Sequence, residues 1–299
     1  MPNRQDMSGK VVVITGATSG IGQVTAESLA RMGARIVQIA RGRQRGEAAL
    51  SRLRELAPAM AHTVYYADLS RIAETQRVAS EISAAEPRID VLINNAGAMF
   101  GHRHLTEDGL ELTFALNHMA YFVLTQGLRE RLISSAPARV VSTASAAHQS
   151  GTFDPDDLQS EKIYRDSGFL EWLRFGGPGY PVYARSKLMN ILFTRELARR
   201  LAGTGVTANC LHPGFVATRF GDHSGGLISF GIGVAKRFAL TPEQGAETLI
   251  YLASSPDVAT ITGEYFSKRR PIPPSKAAQD DSSAQRLWQE SARLASLPA

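Results

Sequence analysis

The chain of 299 residues has one cysteine, Cys210, which excludes an internal disulfide. Its apolar neighbours favour a buried structural thiol over a nucleophile. No stretch approaches the roughly 20 apolar residues that span a bilayer, and Met1 to Asp6 carries no apolar signal region. A cytoplasmic protein without an integral membrane segment is expected. There is no solenoid-type repeat and no linker of distinct composition, and no metal site is expected. Charge of one sign is not clustered either. The net charge is +5 and the pI about 9.5, but lysines and arginines alternate with acids, which argues against nucleic acid as a partner. The nearest thing to a basic cluster, Lys268-Arg269-Arg270, reads as a solvated turn. The positive balance suits small anionic ligands such as nucleotides.

What is present is alternation. The hydrophobic content of 43% supports a sizeable core. Val11 to Ile14, Arg35 to Ala40, Thr63 to Tyr66, Asp90 to Ile93, Arg139 to Ser142 and Val206 to Leu211 read as strands. Helical patterns fall between them at Ile21 to Arg31, Gln44 to Leu56, Ile72 to Ile82 and, as one long helix, Leu112 to Leu132. A further helix contains Tyr183 and runs to about Leu201. Strand–helix alternation of this kind predicts an α/β fold. The expected architecture is one Rossmann-type domain over residues 1–299, a doubly wound parallel sheet of about seven strands with helices on both faces.

Two motifs carry chemistry. Thr15-Gly16-Ala17-Thr18-Ser19-Gly20-Ile21-Gly22 follows the first strand and opens a helix. Glycines there allow tight turning and close backbone approach, and the helix N-terminus offers unpaired N–H groups to a pyrophosphate. A glycine-rich turn without ligand is the alternative. Tyr183-Ala184-Arg185-Ser186-Lys187 places a phenol and an ammonium on one helical face. An ammonium near a phenol favours phenolate, so the Tyr183 pKa is expected below its ordinary value of about 10. Alone, this spacing is common by chance; its meaning depends on its company.

That company resembles the short-chain dehydrogenase/reductase family. The Gly16 loop, Asp68-Leu69, Asn94-Asn95-Ala96-Gly97, Asn117, Ser145, Tyr183 with Lys187, and His212-Pro213-Gly214 stand in that family's order. More narrowly, Asp157 to Lys162, Ser186 to Leu197 and Arg286-Leu287-Trp288 resemble the retinol dehydrogenases and the related WW-domain-containing oxidoreductases.

The resemblance implies roles. Tyr183 is the general acid in reduction and the base in oxidation. Lys187 holds the nicotinamide ribose and lowers the Tyr183 pKa. Ser145 donates to the substrate carbonyl oxygen, where negative charge grows. Ala144 replaces a second serine frequent in the family, which leaves Ser145 the sole matching hydroxyl there. Asn117 supports a proton-relaying water beside Lys187, or is a structural polar residue inside its helix. For the cofactor, Gly16, Thr18, Ser19, Gly20, Ile21 and Gly22 form the phosphate loop. Asp68 with Leu69 faces adenine, or the acid relates to a helix N-cap. Asn95, Ala96 and Gly97 let the adenosine ribose approach the backbone. Pro213, Gly214, Val216 and Thr218 close over the carboxamide.

The end of the second strand discriminates between cofactors. Gln38-Ile39-Ala40-Arg41-Gly42-Arg43 contains no acid before Glu47, whereas an NAD site needs a carboxylate for the ribose 2′-hydroxyl. Arg41 matches the branch's 2′-phosphate arginine, and Arg43 follows closely. NADP(H) is therefore expected, against the alternative of two exposed loop arginines.

The substrate is less determined. Residues 146–182 read as an inserted active-site loop carrying Phe153, Tyr164, Phe169, Trp172, Phe175 and Tyr180. The stretch from Asp166 to Gly179 departs from the retinol branch. Residues 215–240 read as a lid with Leu227, Ile228, Phe230, Ile232, Val234 and Phe238. These apolar side chains suit a hydrophobic alcohol, aldehyde or ketone, or else they pack on the domain or a second copy. In the extension 268–299, the tail from Arg270, with Pro271, Pro273 and Pro274 and then Ala278 to Ser283, is expected as an extended polar connector, and Ala284 to Ala295 as a helix that covers the site or caps the sheet. Many relatives pair through the Asn117 and Tyr183 helices, so a homodimer or homotetramer is one expectation. Three functions follow. The first is an NADP(H)-dependent alcohol dehydrogenase or carbonyl reductase. The second is a catalytically idle NADP-binding sensor, and the third a reductase of a carbon–carbon double bond.

Overall fold

The central strands are apolar on both sides, so they need cover on both faces. In the computed structural model, which describes residues 5–166, 177–214 and 240–298, Val11 and Val13 point into one core cluster. Val12 and Ile14 point into the other. The strands are β1 (Val11–Thr15), β2 (Arg35–Ala40), β3 (Thr63–Tyr66), β4 (Val91–Asn94), β5 (Ala138–Thr143), β6 (Val206–Leu211), β7 (Tyr265–Ser267) and β8 (Arg270–Pro271). They form one sheet in the order β3-β2-β1-β4-β5-β6-β7-β8, parallel except for the last pair. Against the expected seven or so, eight strands stand among the described residues, the last of them, β8, a two-residue antiparallel edge containing a proline. So short a strand leaves no periodicity to read. Its turn holds Lys268 and Arg269 at φ of 48° and 64°, both exposed, in keeping with the solvated turn expected there.

Helices α1 (Gly20–Arg31), α2 (Arg43–Leu56) and α3 (Ile72–Ala85) follow the first three strands. The long helix expected from Leu112 to Leu132 is interrupted. A short α4 (Leu112–Phe114) passes into a π-turn at Ala115–Met119, and α5 (Ala120–Ser134) continues from it. From Thr113 to Thr125 every residue but Leu116 is buried, so there is no one-sided apolar stripe whose phase could reveal the extra residue of a π-turn. Glu111 starts this element by accepting from the N–H groups of Thr113 (3.0 Å) and Phe114 (2.8 Å).

After β5 come a 3₁₀ turn (Ala146–Ser150), α6 (Glu161–Asp166) and the long α7 (Gly179–Arg200). Tyr183 thus lies in the second turn of α7. Helix α8 (Pro242–Ser254) starts on a Thr241–Gln244 capping box. Helix α9 (Asp281–Leu294) begins on Asp280, earlier than expected, and a 3₁₀ turn at Lys276–Gln279 replaces part of the expected connector.

Helix α9 lies on the outer face shared by α5 and α7. The Trp288 ring stacks on Phe193 at 6.0 Å and meets Phe122 edge-on at 5.0 Å. The Arg200 guanidinium lies 4.5 Å from the centre of the Trp288 ring, and Asp281 pairs with Arg195 (3.1 Å) and Arg199 (2.9 Å). The tail therefore covers helices rather than the sheet edge. Cys210 is buried, which pushes its thiol up to about 12.

Candidate active site

The strand order reverses between β1 and β4, and in open α/β sheets ligands bind outside the carboxyl ends at such a point. Here those ends are stitched together. Thr15 Oγ1 accepts the N–H groups of Asn95 and Ala96, both at 2.9 Å. Asn95 Nδ2 donates to the carbonyls of Thr15 (3.2 Å) and Gly16 (3.3 Å), and its Oδ1 accepts from the Thr143 hydroxyl at 3.3 Å. Asn95 thus ties the ends of β1 and β5 to that of β4. Thr15 and Thr143 were not singled out by sequence reasoning; a threonine closing a buried strand is too frequent to signal.

The glycine loop fits a dinucleotide. A Cβ at Gly22 would sit 2.2 Å from the Gly16 carbonyl oxygen and 2.5 Å from Asn95 Nδ2, so only glycine allows this approach. Ser19 stands at the N-cap of α1 but its side chain makes no cap hydrogen bond, and the first turn holds no acid. Among the described residues no side chain satisfies the leading N–H groups of α1, beside Gly20 and Ile21, which is what an anion needs. Thr18 is half-buried in the same turn.

At the end of β2, Arg41 is exposed. The first acid beyond it, Glu47, accepts from the Tyr66 hydroxyl at 2.5 Å. The guanidinium of Arg43 lies 4.7 Å from the centre of the Tyr66 ring. Glu47 and Arg43 are thus engaged with one tyrosine. Asp68 Oδ1 accepts from the Ser70 N–H (3.0 Å) and hydroxyl (2.7 Å), while Leu69 is buried. Asp68 shapes a turn, and the N-cap of α3 is Arg71, which corrects the capping alternative.

Asn117 sits in the π-turn with its amide engaged on both sides. Oδ1 accepts from the Ala98 N–H (2.9 Å), and Nδ2 donates to the Ala98 carbonyl (2.9 Å) and Ser186 Oγ (3.0 Å). It clamps the segment after Gly97 against α7. A Cβ at Gly97 would stand 3.0 Å from Asn117 Oδ1 and 3.4 Å from Lys187 Nζ, which brings the three residues together.

Lys187 is buried and donates from Nζ to the Thr143 carbonyl at 3.0 Å, a carbonyl that also accepts from Asn190 Nδ2 at 3.2 Å. Its Nζ lies 5.5 Å from the Tyr183 ring centre and 5.9 Å from that of Tyr121. Burial lowers the Lys187 pKa to about 7. The Ser145 hydroxyl acts on the Tyr183 phenol and favours its ionised form. Burial nevertheless raises the phenol above the ordinary value, with the Ser145 hydroxyl opposing. This reverses the expected depression by Lys187. The reason is that both groups are desolvated, while the ammonium is directed at a backbone carbonyl.

Ser145 follows β5 in extended conformation, and its Oγ accepts from the Ala147 N–H at 3.2 Å. Beyond β6, Pro213 and Gly214 face the same region; the Gly214 N–H donates to His212 Nδ1 at 3.1 Å. Val216, Thr218 and the rest of the expected lid through residue 239 lie outside the described residues, as do Phe169, Trp172 and Phe175.

One contact network places the described part of the inserted loop. Arg185 Nη1 donates to the Asp157 carbonyl at 2.6 Å and to its Oδ2 at 3.1 Å. Gln159 Oε1 accepts from the Glu111 N–H at 2.6 Å, and Glu111 Oε1 accepts from the Tyr164 hydroxyl at 3.1 Å. The loop is thus fastened both to the Tyr183 helix and to the element carrying Asn117.

Sheet order, glycine cradle and helix N-terminus define a dinucleotide-binding α/β protein. Residues 10–154 match the family described as short chain dehydrogenase, and residues 173–267 one described as enoyl-(acyl carrier protein) reductase. Retinol dehydrogenase 14 of Mus musculus is 42% identical, over 94% of this chain and 84% of its own. Human retinol dehydrogenase 13 is 38% identical, over 100% of this chain and 88% of its own. Among solved structures, an uncharacterised protein from Mycobacterium paratuberculosis superposes with a TM-score of 0.76 at 31% identity, covering 99% of this chain and 97% of that one. The RhlG/NADP complex from Pseudomonas aeruginosa gives 0.67 at 27% identity, covering 89% and 97%. The chain belongs to the short-chain dehydrogenase family of oxidoreductases. Among the described residues, no helix is long and apolar enough to cross a membrane, and no group of side chains could hold a metal ion.

Proposed function

We propose that the protein is an NADP(H)-dependent oxidoreductase that interconverts an alcohol and a carbonyl on a bulky hydrophobic substrate. The observation that carries this reading is the buried Tyr183 with Lys187 Nζ 5.5 Å from its ring centre, on a helix that Asn117 clamps to the segment after Gly97. NADPH, when bound, supplies the hydride. Ser145 and Tyr183 present two hydroxyls to a carbonyl oxygen, and Tyr183 gives it the proton. Burial keeps Tyr183 in the phenol form, the form a proton donor requires. Lys187 holds the Thr143 carbonyl at the end of β5, and Asn117 clamps the segment after Gly97 against the Tyr183 helix.

Support for NADP(H) comes from exposed Arg41, from the engagement of Glu47 by Tyr66, and from the NADP named in the RhlG complex. Support for a lipophilic alcohol comes from the retinol dehydrogenases among the relatives. The match to an enoyl reductase description favours carbon–carbon double-bond reduction as a second reading, which product spectra separate from carbonyl reduction.

The test follows NADPH absorbance with retinal, steroid and aromatic ketone substrates. Turnover of at least one is expected. Tyr183→Phe should lower kcat by roughly a thousandfold and leave NADPH binding unchanged. Arg41→Ala should weaken NADPH by about tenfold while sparing NADH. Equal or tighter binding of NADH by the wild type would overturn the cofactor assignment.

A further inference from the structure

His148 is a buried titratable side chain in contact with the Ser145 loop, and the chemistry above does not use it. Its two ring nitrogens face different parts of the chain. Nδ1 lies 2.7 Å from the Ser145 carbonyl oxygen, and Nε2 lies 3.1 Å from the backbone nitrogen of Ser275. A backbone N–H can only donate, so Nε2 is the bare nitrogen and Nδ1 carries the proton. The imidazole therefore donates to the Ser145 carbonyl and accepts from Ser275. The Tyr265 hydroxyl, 3.5 Å from Nδ1, is too distant to compete.

The ring also belongs to a column. Tyr265 meets His148 edge-on at 4.9 Å and stacks on His212 at 5.8 Å, and His212 Nδ1 holds the Gly214 N–H. The column runs from the Ser145 loop to the Pro213–Gly214 turn, the two segments that flank the proposed reacting centre. Burial lowers the His148 pKa, in keeping with a neutral ring. Besides this ring, the Ser145 carbonyl accepts from the His148 N–H at 3.1 Å and its hydroxyl accepts from the Ala147 N–H.

We infer that His148 is a positioning residue for Ser145, holding the serine backbone through Nδ1–H so that its hydroxyl stays in register with Tyr183. The inference rests on the alcohol–carbonyl reading above. Through Nε2 the same ring fastens the segment around Ser275 to this loop, a structural task that can be separated from the first by substitution.

Two amides divide the tasks. His148→Asn puts a donor where Nδ1 stands and loses the Ser275 contact. His148→Gln places its amide near the Nε2 position and loses the donor to Ser145. His148→Asn should keep kcat within about threefold of wild type. His148→Gln should lose on the order of tenfold in kcat, the effect of one misplaced hydrogen-bond donor, with the NADPH dissociation constant unchanged. If His148→Gln keeps the wild-type kcat, or if both variants lose kcat equally, the positioning role is overturned. Absence of turnover in the wild type overturns the alcohol–carbonyl reading and this role with it. A measurement independent of turnover uses the ¹⁵N-labelled wild type, with His148 assigned by the loss of its signals in the variants. Protonated Nδ1 and bare Nε2 shifts are expected; an Nε2–H tautomer or an imidazolium at neutral pH would sink the proposal.

Discussion

Burial displaces Lys187 and Tyr183 in opposite directions, the ammonium down to about 7 and the phenol up. For the lysine, the folded chain binds fewer protons than the unfolded chain between about pH 7 and its ordinary value of 10.5. Stability therefore rises with pH through that window. The raised phenol acts with the opposite sign above pH 10, so the lysine effect is cleanest from pH 7 to 9. Urea unfolding should show wild-type stability increasing over that range and Lys187→Met showing a smaller increase. Parallel pH profiles for the two proteins would place the buried ammonium elsewhere. At this scale the sequence was partly legible. Spacing four apart put Tyr183 and Lys187 on one face, and the family order gave them Ser145. The direction of the Tyr183 shift was not legible, because it depends on how dry the site is and on the Thr143 carbonyl that takes the ammonium. His148 was missed for a related reason: its partner Ser275 lies 127 positions away.

Strands and helices were read from hydrophobic runs, and those with strong runs stand where expected. Helix α8 (Pro242–Ser254) and the short β7 (Tyr265–Ser267) were not singled out, and two irregular features escaped with them. The π-turn around Asn117 lies in a run buried on nearly every side, which has no apolar stripe to mark the extra residue, and β8 is too short to have one. The Arg185–Asp157 pair belongs here too, because it joins α7 to the loop before α6. Both side chains are almost fully buried, at 5% and 4% exposure. Arg185→Ala would leave Asp157 buried without its cation, and a loss of about 3–5 kcal/mol in urea-monitored stability is expected. A loss under about 1 kcal/mol would mean that water replaces the guanidinium. Arg185 sits inside the Tyr183–Lys187 motif, yet from sequence it could equally have been a solvated position.

Over the whole molecule, two apolar clusters sandwich the sheet, and α9 completes one of them. Trp288 belongs to that cluster with Phe122, Phe193 and Leu287. Trp288→Ala should cost about 3–5 kcal/mol, measured by denaturant unfolding, because the cavity lies between three helices that cannot all collapse. Little change would show that α9 holds on through its Asp281 ion pairs instead. The same helix lies on α5 and α7, the two helices along which pairing was expected.

The docking of α9 also bears on the order of events during folding. The Gln76 amide reaches the Ala295 carbonyl at 3.1 Å across 219 positions of sequence. His118, beside Asn117, meets Ser291 at 2.7 Å across 173. Contacts this remote close late, since a long loop must be ordered before they form. Until then Phe122 and Phe193 lack the cover Trp288 gives them, and the helices carrying Asn117 and Tyr183 lack their outer support. The nascent chain is thus at its stickiest just before its site is finished, the stage at which a chaperone would have most to protect.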